Sequence, residues 1–197
     1  MMNNFLLSVL SFFIIYFLSI SCSPELDRNS YVWELETDEE LEYFGNDGSG
    51  ASFQLSDDVS FDGTRSVKVI PSGTSNETKI ALPIRDERLS MWKGNEQMVI
   101  NVYLPAENHL NPTRFFLGMS DVTGGDWDWK GGLFRDDHDL QDGWNEIVFT
   151  LPESMRDLEP DRDYTIFLAF STYMVPAEDG IIMPLYENFY VDGIRMN

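Results

Sequence analysis

The chain has 197 residues, a formal net charge of −21 and its first charged side chain at Glu25. A surface this acidic repels phosphate backbones, which excludes nucleic acid as an expected partner, whereas neutral ligands and divalent cations remain compatible with it. Hydrophobic content of 43% and aromatic content of 14% are enough for one packed domain, and a single cysteine excludes a disulfide framework.

Taken in order, residues 5–20 form an almost unbroken apolar run, interrupted by Ser8, Ser11 and Ser19 and followed closely by the only cysteine, Cys22. The run is short for a bilayer span and lies where a secretory signal lies. Residues 23–30 (SPELDRNS) read as a polar leash. Residues 31–36 (YVWELE) then alternate large apolar with polar side chains, the period-two signal of a strand. A dense acid run, TDEELE, follows at 37–42, then turn chemistry at 46–50 (NDGSG) and a short strand at 51–55. A second turn at 60–63 (SFDG) precedes a β run at 66–70 (SVKVI), closed by Pro71. Further strands are expected at 79–82, 97–104, 114–119, 126–134, 145–151, 164–170 and 189–196. No long amphipathic helix is legible, and 153–158 suits a single helical turn. About ten short strands punctuated by turns predict an all-β domain, a two-sheet antiparallel β-sandwich spanning 31–197.

The most distinctive stretch is 124–133, GGDWDWKGGL. If it is extended, Trp127 and Trp129 project from one face, and Asp126, Asp128 and Lys130 from the other. Exposed indoles beside carboxylates suit a sugar: the C–H face of a pyranose packs on the ring and its hydroxyls bond the acids. The competing reading buries one or both tryptophans in the sandwich core. A bulge or a loop conformation around the flanking glycines could bring acids and indoles to one surface; in a regular strand the acids drop out of the site.

Two resemblances follow from these residues. The apolar run ending in Leu18-Ser19-Ile20-Ser21-Cys22 resembles a bacterial lipoprotein signal. It implies removal of residues 1–21, lipidation of Cys22, a leash over 22–30, and an exported protein anchored to a membrane face of the bacterial cell envelope. The motif departs from the usual pattern in having no Lys or Arg before the apolar run. The second resemblance rests on Trp33-Glu34-Leu35-Glu36, the run from Gly63 to Val69, Val102-Tyr103-Leu104-Pro105, Asp142-Gly143-Trp144-Asn145 and Tyr190-Val191-Asp192-Gly193-Ile194. In this order they resemble the β-jelly-roll carbohydrate-binding modules of the galactose-binding-domain-like group, over the whole of 31–197. That resemblance implies a glycan surface, for which Trp127, Trp129, Asp126, Asp128, Arg135 and Tyr173 are candidates, with His138, Trp92 and Tyr43 more remote. It also implies a structural Ca2+ held by Glu36, Asp62 and Asp192, a cation that takes six to eight oxygen ligands. Trp144 and Trp33 are expected in the core.

Enzymatic signals are sparse. Glu36, Asp38 and Glu40 match E-x-D-x-E, an arrangement in which alternate acids of a strand project into one cleft as nucleophile and acid/base. The interleaved Thr37 and Glu39 are not the apolar residues that such a buried strand carries on its other face. There is no G-x-S-x-G elbow, and two isolated histidines do not make a zinc site. The sequence therefore predicts non-catalytic carbohydrate binding by a membrane-anchored lipoprotein. A structural or protein-interaction lipoprotein without a sugar site is the alternative, and a small glycoside hydrolase or lyase is a more distant one.

Overall fold

The computed structural model describes residues 31–106, 112–137, 139–174, 181–185 and 187–197. Cys22, His138 and the apolar run at 5–20 lie outside them, as does the side chain of Tyr173. The elements are β1 (Tyr31–Trp33), α1 (Asp38–Leu41), β2 (Ser52–Ser56), β3 (Ser66–Ile70), β4 (Thr78–Ile84), α2 (Asp86–Trp92) and β5 (Gln97–Leu104). They continue with β6 (Arg114–Asp121), β7 (Asp128–Asp136), β8 (Gly143–Thr150), α3 (Glu153–Arg156), β9 (Tyr164–Met174), β10 (Ile181–Met183) and β11 (Phe189–Met196). The expected all-β sandwich is the observed architecture. Sheet I runs β2-β3-β11-β5-β8 with β1 also on β11, and sheet II runs β10-β9-β6-β7 with β4 also on β9. Every pairing among these strands is antiparallel.

The core lies between the sheets and follows from alternation along the strands, shifted by one residue on β11, whose pairing with β5 is irregular between Asp192 and Ile194. Sheet I turns Val67, Ile100, Val102, Val191 and Ile194 inward, and sheet II meets them with Leu82, Leu117, Ile166 and Leu168, all buried. Each such side chain contributes roughly 1.5–3 kcal/mol by leaving water. One end is plugged by α2, whose Leu89 and Trp92 sit three apart on one face and are buried. The Trp92 indole N–H donates to the Met155 carbonyl at 2.8 Å, which makes Trp92 a core residue rather than a ligand platform. A helix of seven residues is too short to announce itself by periodicity, and so is β10, which is only three residues long.

The opening strand is shorter than its alternation suggested. β1 stops at Trp33, Leu35 takes φ +66°, and the N–H groups of Glu34 and Glu36 both donate to the Glu40 carboxylate, at 2.9 and 3.0 Å. Thr37 caps α1 by accepting from the Glu40 N–H, so three acids fall in a first helical turn where the helix dipole favours them. Glu36, Asp38 and Glu40 therefore do not share a strand face. Trp33 is buried as expected, with the Arg88 guanidinium 3.7 Å from its ring centroid. Trp144 is not in the core: β8 sets it opposite Tyr103, whose neighbours Val102 and Leu104 point inward, so both rings face outward. There Trp144 is half-buried, edge-on to Tyr103 at 5.3 Å and to Phe61 at 5.8 Å.

Candidate functional site

The outer face of sheet II carries an aromatic groove, and a bulge in β7 creates it. The pairing of β6 with β7 shifts between Met119 and Ser120: Ser120 faces Trp129, whereas Met119 faces Gly131, leaving Lys130 as the extra residue. Strict alternation would put Trp129 on the face of Gly131, Leu133 and Arg135. The bulge moves it to the face of Gly132 and Phe134 instead. This explains why Phe134 joins the site and Arg135 leaves it.

The result is a groove of about 270 Å³ lined by Phe116, Trp127, Trp129, Phe134, Phe167, Ala169, Asp47, Glu77 and Lys79. Trp127, Trp129 and Phe134 are 63%, 52% and 60% exposed, an unusual cluster of large apolar surface. Phe116 and Trp129 lie parallel to within 2°, with centroids 6.2 Å apart, and Phe134 leans on Phe116 at 4.6 Å. Trp127 covers Phe167 at 5.2 Å. The Arg114 guanidinium sits 4.5 Å from the Phe134 centroid. The polar groups gather on one wall: Lys79 Nζ contacts Asp47 Oδ2 at 3.1 Å, and the Lys79 N–H donates to Ser49 Oγ at 3.1 Å, which fixes the loop against β4.

Of the residues singled out from sequence, Trp127 and Trp129 share this groove. Asp126 and Asp128 are exposed beside it, and Asp128 is paired with Lys130 Nζ at 2.9 Å. Arg135 points the other way, donating to the Val148 carbonyl of sheet I at 3.0 Å and to Asp137 at 2.8 Å, so it ties the two sheets together. Tyr173 lies in the far half of β9, opposite Ile182 of β10. Tyr43 is exposed elsewhere, packed on Trp33 at 5.5 Å. Phe116, Phe134, Phe167, Ala169, Asp47, Glu77 and Lys79 are the groove residues that sequence reasoning did not reach. Two carried a signal: Phe115-Phe116 cannot both face inward on a strand, and Phe167 lies between the inward Ile166 and Leu168.

The residues expected to hold calcium come together around one loop. Asp192 is buried on β11, and its Oδ2 accepts from the N–H groups of Phe61 at 2.6 Å and Asp62 at 3.3 Å. Glu36 Oε1 accepts from the N–H of Thr64 at 2.9 Å and of Arg65 at 3.3 Å. Between them Gly63 adopts φ +72°, and a Cβ there would overlap the Glu36 carboxylate. Asp192 Oδ1 is buried with no hydrogen-bond partner. Burial, reinforced by the nearby Glu36 charge, pushes the Asp192 carboxyl up to about 7. A cavity of about 10 Å³, the size of one water or ion, is lined by Tyr31, Glu34, Glu36, Asp62 and Gly63. Among the described residues no three His, Cys, Asp or Glu side chains converge closely enough to hold an ion by themselves, so backbone carbonyls would have to complete the shell. Glu36 and Asp62 line that cavity and Asp192 does not; the orphaned Asp192 oxygen and the Glu36 charge that acts on it are hard donors of the kind a cation takes.

No protein-family model and no curated protein matches the sequence. Solved structures share its fold. One is from work on the promiscuous specificity of carbohydrate-binding modules of the β-sandwich superfamily, with TM-score 0.54 and 18% identity, covering 81% of this chain and 59% of that one. A second is an arabinose-bound α-L-arabinofuranosidase, MgGH51, with TM-score 0.55 and 13% identity, covering 86% of this chain and 25% of that one. The C-terminal family 22 carbohydrate-binding module of Clostridium thermocellum Xyn10B is also similar, with TM-score 0.49 and 13% identity, covering 86% of this chain and 94% of that one. The chain thus spans 59% of the first structure and a quarter of the second. At these identities the likeness is one of fold: the protein has the two-sheet β-sandwich of carbohydrate-binding modules.

Proposed function

We propose that this protein binds neutral glycans, without cleaving them, in the aromatic groove of sheet II. The observation that carries the reading is the cluster of Trp127, Trp129 and Phe134, three large rings held by β7 and its approach yet left open to water. A sugar packed on them would bury apolar ring surface worth about 25 cal/mol per Å². Lys79, Asp47 and Glu77 stand on the facing wall to exchange hydrogen bonds with hydroxyls. Two carboxylates against one ammonium leave the wall acidic, which disfavours uronates and sulfated chains. Asp47 and Glu77 occupy the same side and Asp47 is ion-paired, whereas a hydrolase needs its two acids flanking the scissile bond.

A structural calcium belongs to the same proposal, held by Glu36 and Asp192 with Asp62 at its edge, where it would fasten the 58–65 loop to β11. So does anchoring: lipidation at Cys22 would place the groove outside the cell, facing polysaccharide. Replacing Cys22 with Ser should then move the protein from the membrane to the soluble fraction.

Titration of the protein with xylan, mannan and mixed-linkage β-glucan, followed by tryptophan fluorescence, tests the binding reading. A saturable change that Trp127→Ala and Trp129→Ala each abolish is the expected result. A flat response to all three, with a protein partner recovered instead through the same face, would replace it with the interaction reading.

A further inference from the structure

Gly118 and Gly132 stand directly opposite each other midway along β6 and β7, in the one register row of these strands that carries no side chain. Neither glycine is demanded by the backbone, since neither has a positive φ. Glycine in a strand interior weakens the strand, so an unforced pair marks a place where something must come close. Here that something is aromatic. A Cβ on Gly118 would lie 2.5 Å from the outer edge of Trp129 and 2.8 Å from that of Phe116. A Cβ on Gly132 would lie 2.8 Å from the edge of each ring. Trp129, opposite Ser120, and Phe116, opposite Phe134, flank the glycine row on either side, and their rings converge above it in parallel.

We infer that the Gly118–Gly132 pair shapes the binding surface: by removing two side chains, it lets Trp129 and Phe116 lie down into one continuous shelf, and so selects glycans that present a flat C–H face to the protein. The choice of glycan rests on the proposed function; the placement of the rings does not. The atoms a new methyl group would strike are the far ends of side chains, the exposed Trp129 and the half-buried Phe116, not backbone. A methyl group at either position would therefore lift the rings and leave the sheet intact. Gly131 is the built-in contrast. It lies on the opposite face, where a Cβ would meet Met155 Sδ at 3.1 Å and Ser154 Oγ at 3.4 Å beneath α3.

The test uses protein labelled with 5-fluorotryptophan, the Trp129 fluorine resonance being assigned by its loss in Trp129→Phe. Gly118→Ala and Gly132→Ala should each shift the Trp129 resonance in the absence of any ligand. Each should also weaken binding of the best of xylan, mannan and mixed-linkage β-glucan by about tenfold, with the melting temperature held. Gly131→Ala should leave both the resonance and the affinity unchanged and affect only stability. An unmoved Trp129 resonance and unaltered affinity in both variants would overturn the inference. So would loss of the folded state in both, because the glycines would then serve the sheet. Should the parent protein bind none of the three polysaccharides, the glycan reading falls while the fluorine shift still decides what the glycines do.

Discussion

On the outer face of sheet I, Tyr190, Tyr103 and Trp144 stand in one register row across β11, β5 and β8. On the outer face of sheet II, Phe116 and Phe134 stand in one row and Trp129 in another, with the Gly118–Gly132 row between them. The residue types are alike, and the outcomes are opposite. In sheet I every ring has a ring beside it, so the rings pack edge-on, at 68° and 84°. The 58–65 loop then closes over them: Phe61 meets Trp144 edge-on, and Tyr190 donates to Asp58 at 3.0 Å. In sheet II the glycine row leaves space for rings to lie parallel, and no described segment covers them. Whether an outward aromatic becomes packing or platform is decided by what its neighbours leave out, more than by the aromatic itself.

The strongest way to sharpen this contrast is to loosen the covered face. If a cation holds Glu36 and Asp192, chelation should lower the melting temperature and added calcium restore it. At a concentration a hundredfold above the dissociation constant, the stabilisation is about 2.7 kcal/mol. In the chelated protein Asp192 should impose a pH dependence. Its carboxyl is raised from 3.8 to about 7, chiefly by burial, so between those values the folded state holds a proton that the unfolded chain has released. The Asp192 contribution is then fully present below pH ~4 and is lost as pH rises through ~7, by an amount on the order of a few kcal/mol. Asp192→Asn should flatten that slope and remove the calcium response, and thermal melts from pH 4 to 8 with and without chelator would read both. Polysaccharide affinity, on the other sheet, should be unaffected.

Trp129→Ala and Trp144→Ala break the comparison from its two sides. A central ring in a binding surface is worth about 2 kcal/mol or more, so Trp129→Ala should weaken polysaccharide binding at least about thirtyfold and leave the melting temperature near its starting value. Trp144→Ala should do the reverse, costing about 1–2 kcal/mol of stability through lost contacts with Tyr103 and Phe61 and leaving affinity unchanged. Equal affinity losses in both would mean that the two faces are not specialised as described.

Much of this was legible from the chain, and the exceptions have local causes. Alternation in VINVYL of β5 and in YTIFLAF of β9 identified central strands and their inward faces, because burial of one face leaves a period-two record. The exposed Trp127 and Trp129 were visible as a pair. The glycines beside Lys130 allow a bulge, but alternation alone could not supply which residue is extra, since that is set by the pairing with β6. Asp47, Glu77 and Lys79 reach the groove only because β4 pairs with β9, a contact between residues far apart in the chain. The motif around Trp144 points to the core, and the register with Tyr103 turns it outward.

Arg135 gives the smallest effect and the most direct check on the bulge. If β7 were regular, Arg135 would share a face with Trp129 and stand ready to bond sugar hydroxyls. In the structure its guanidinium bridges to the Val148 carbonyl on the edge strand of sheet I and to Asp137, and its side chain is a third exposed. Arg135→Ala should therefore cost about 1 kcal/mol of stability, the net worth of a charge-assisted hydrogen bond at a partly wet position. Arg135→Lys should recover only part of it, because one ammonium does not reproduce the two-pronged contact. Polysaccharide affinity should be the same in all three proteins. An affinity loss in Arg135→Ala at unchanged stability would place the arginine on the glycan side of β7, and with it would go the bulge that sets Trp129 beside Phe134.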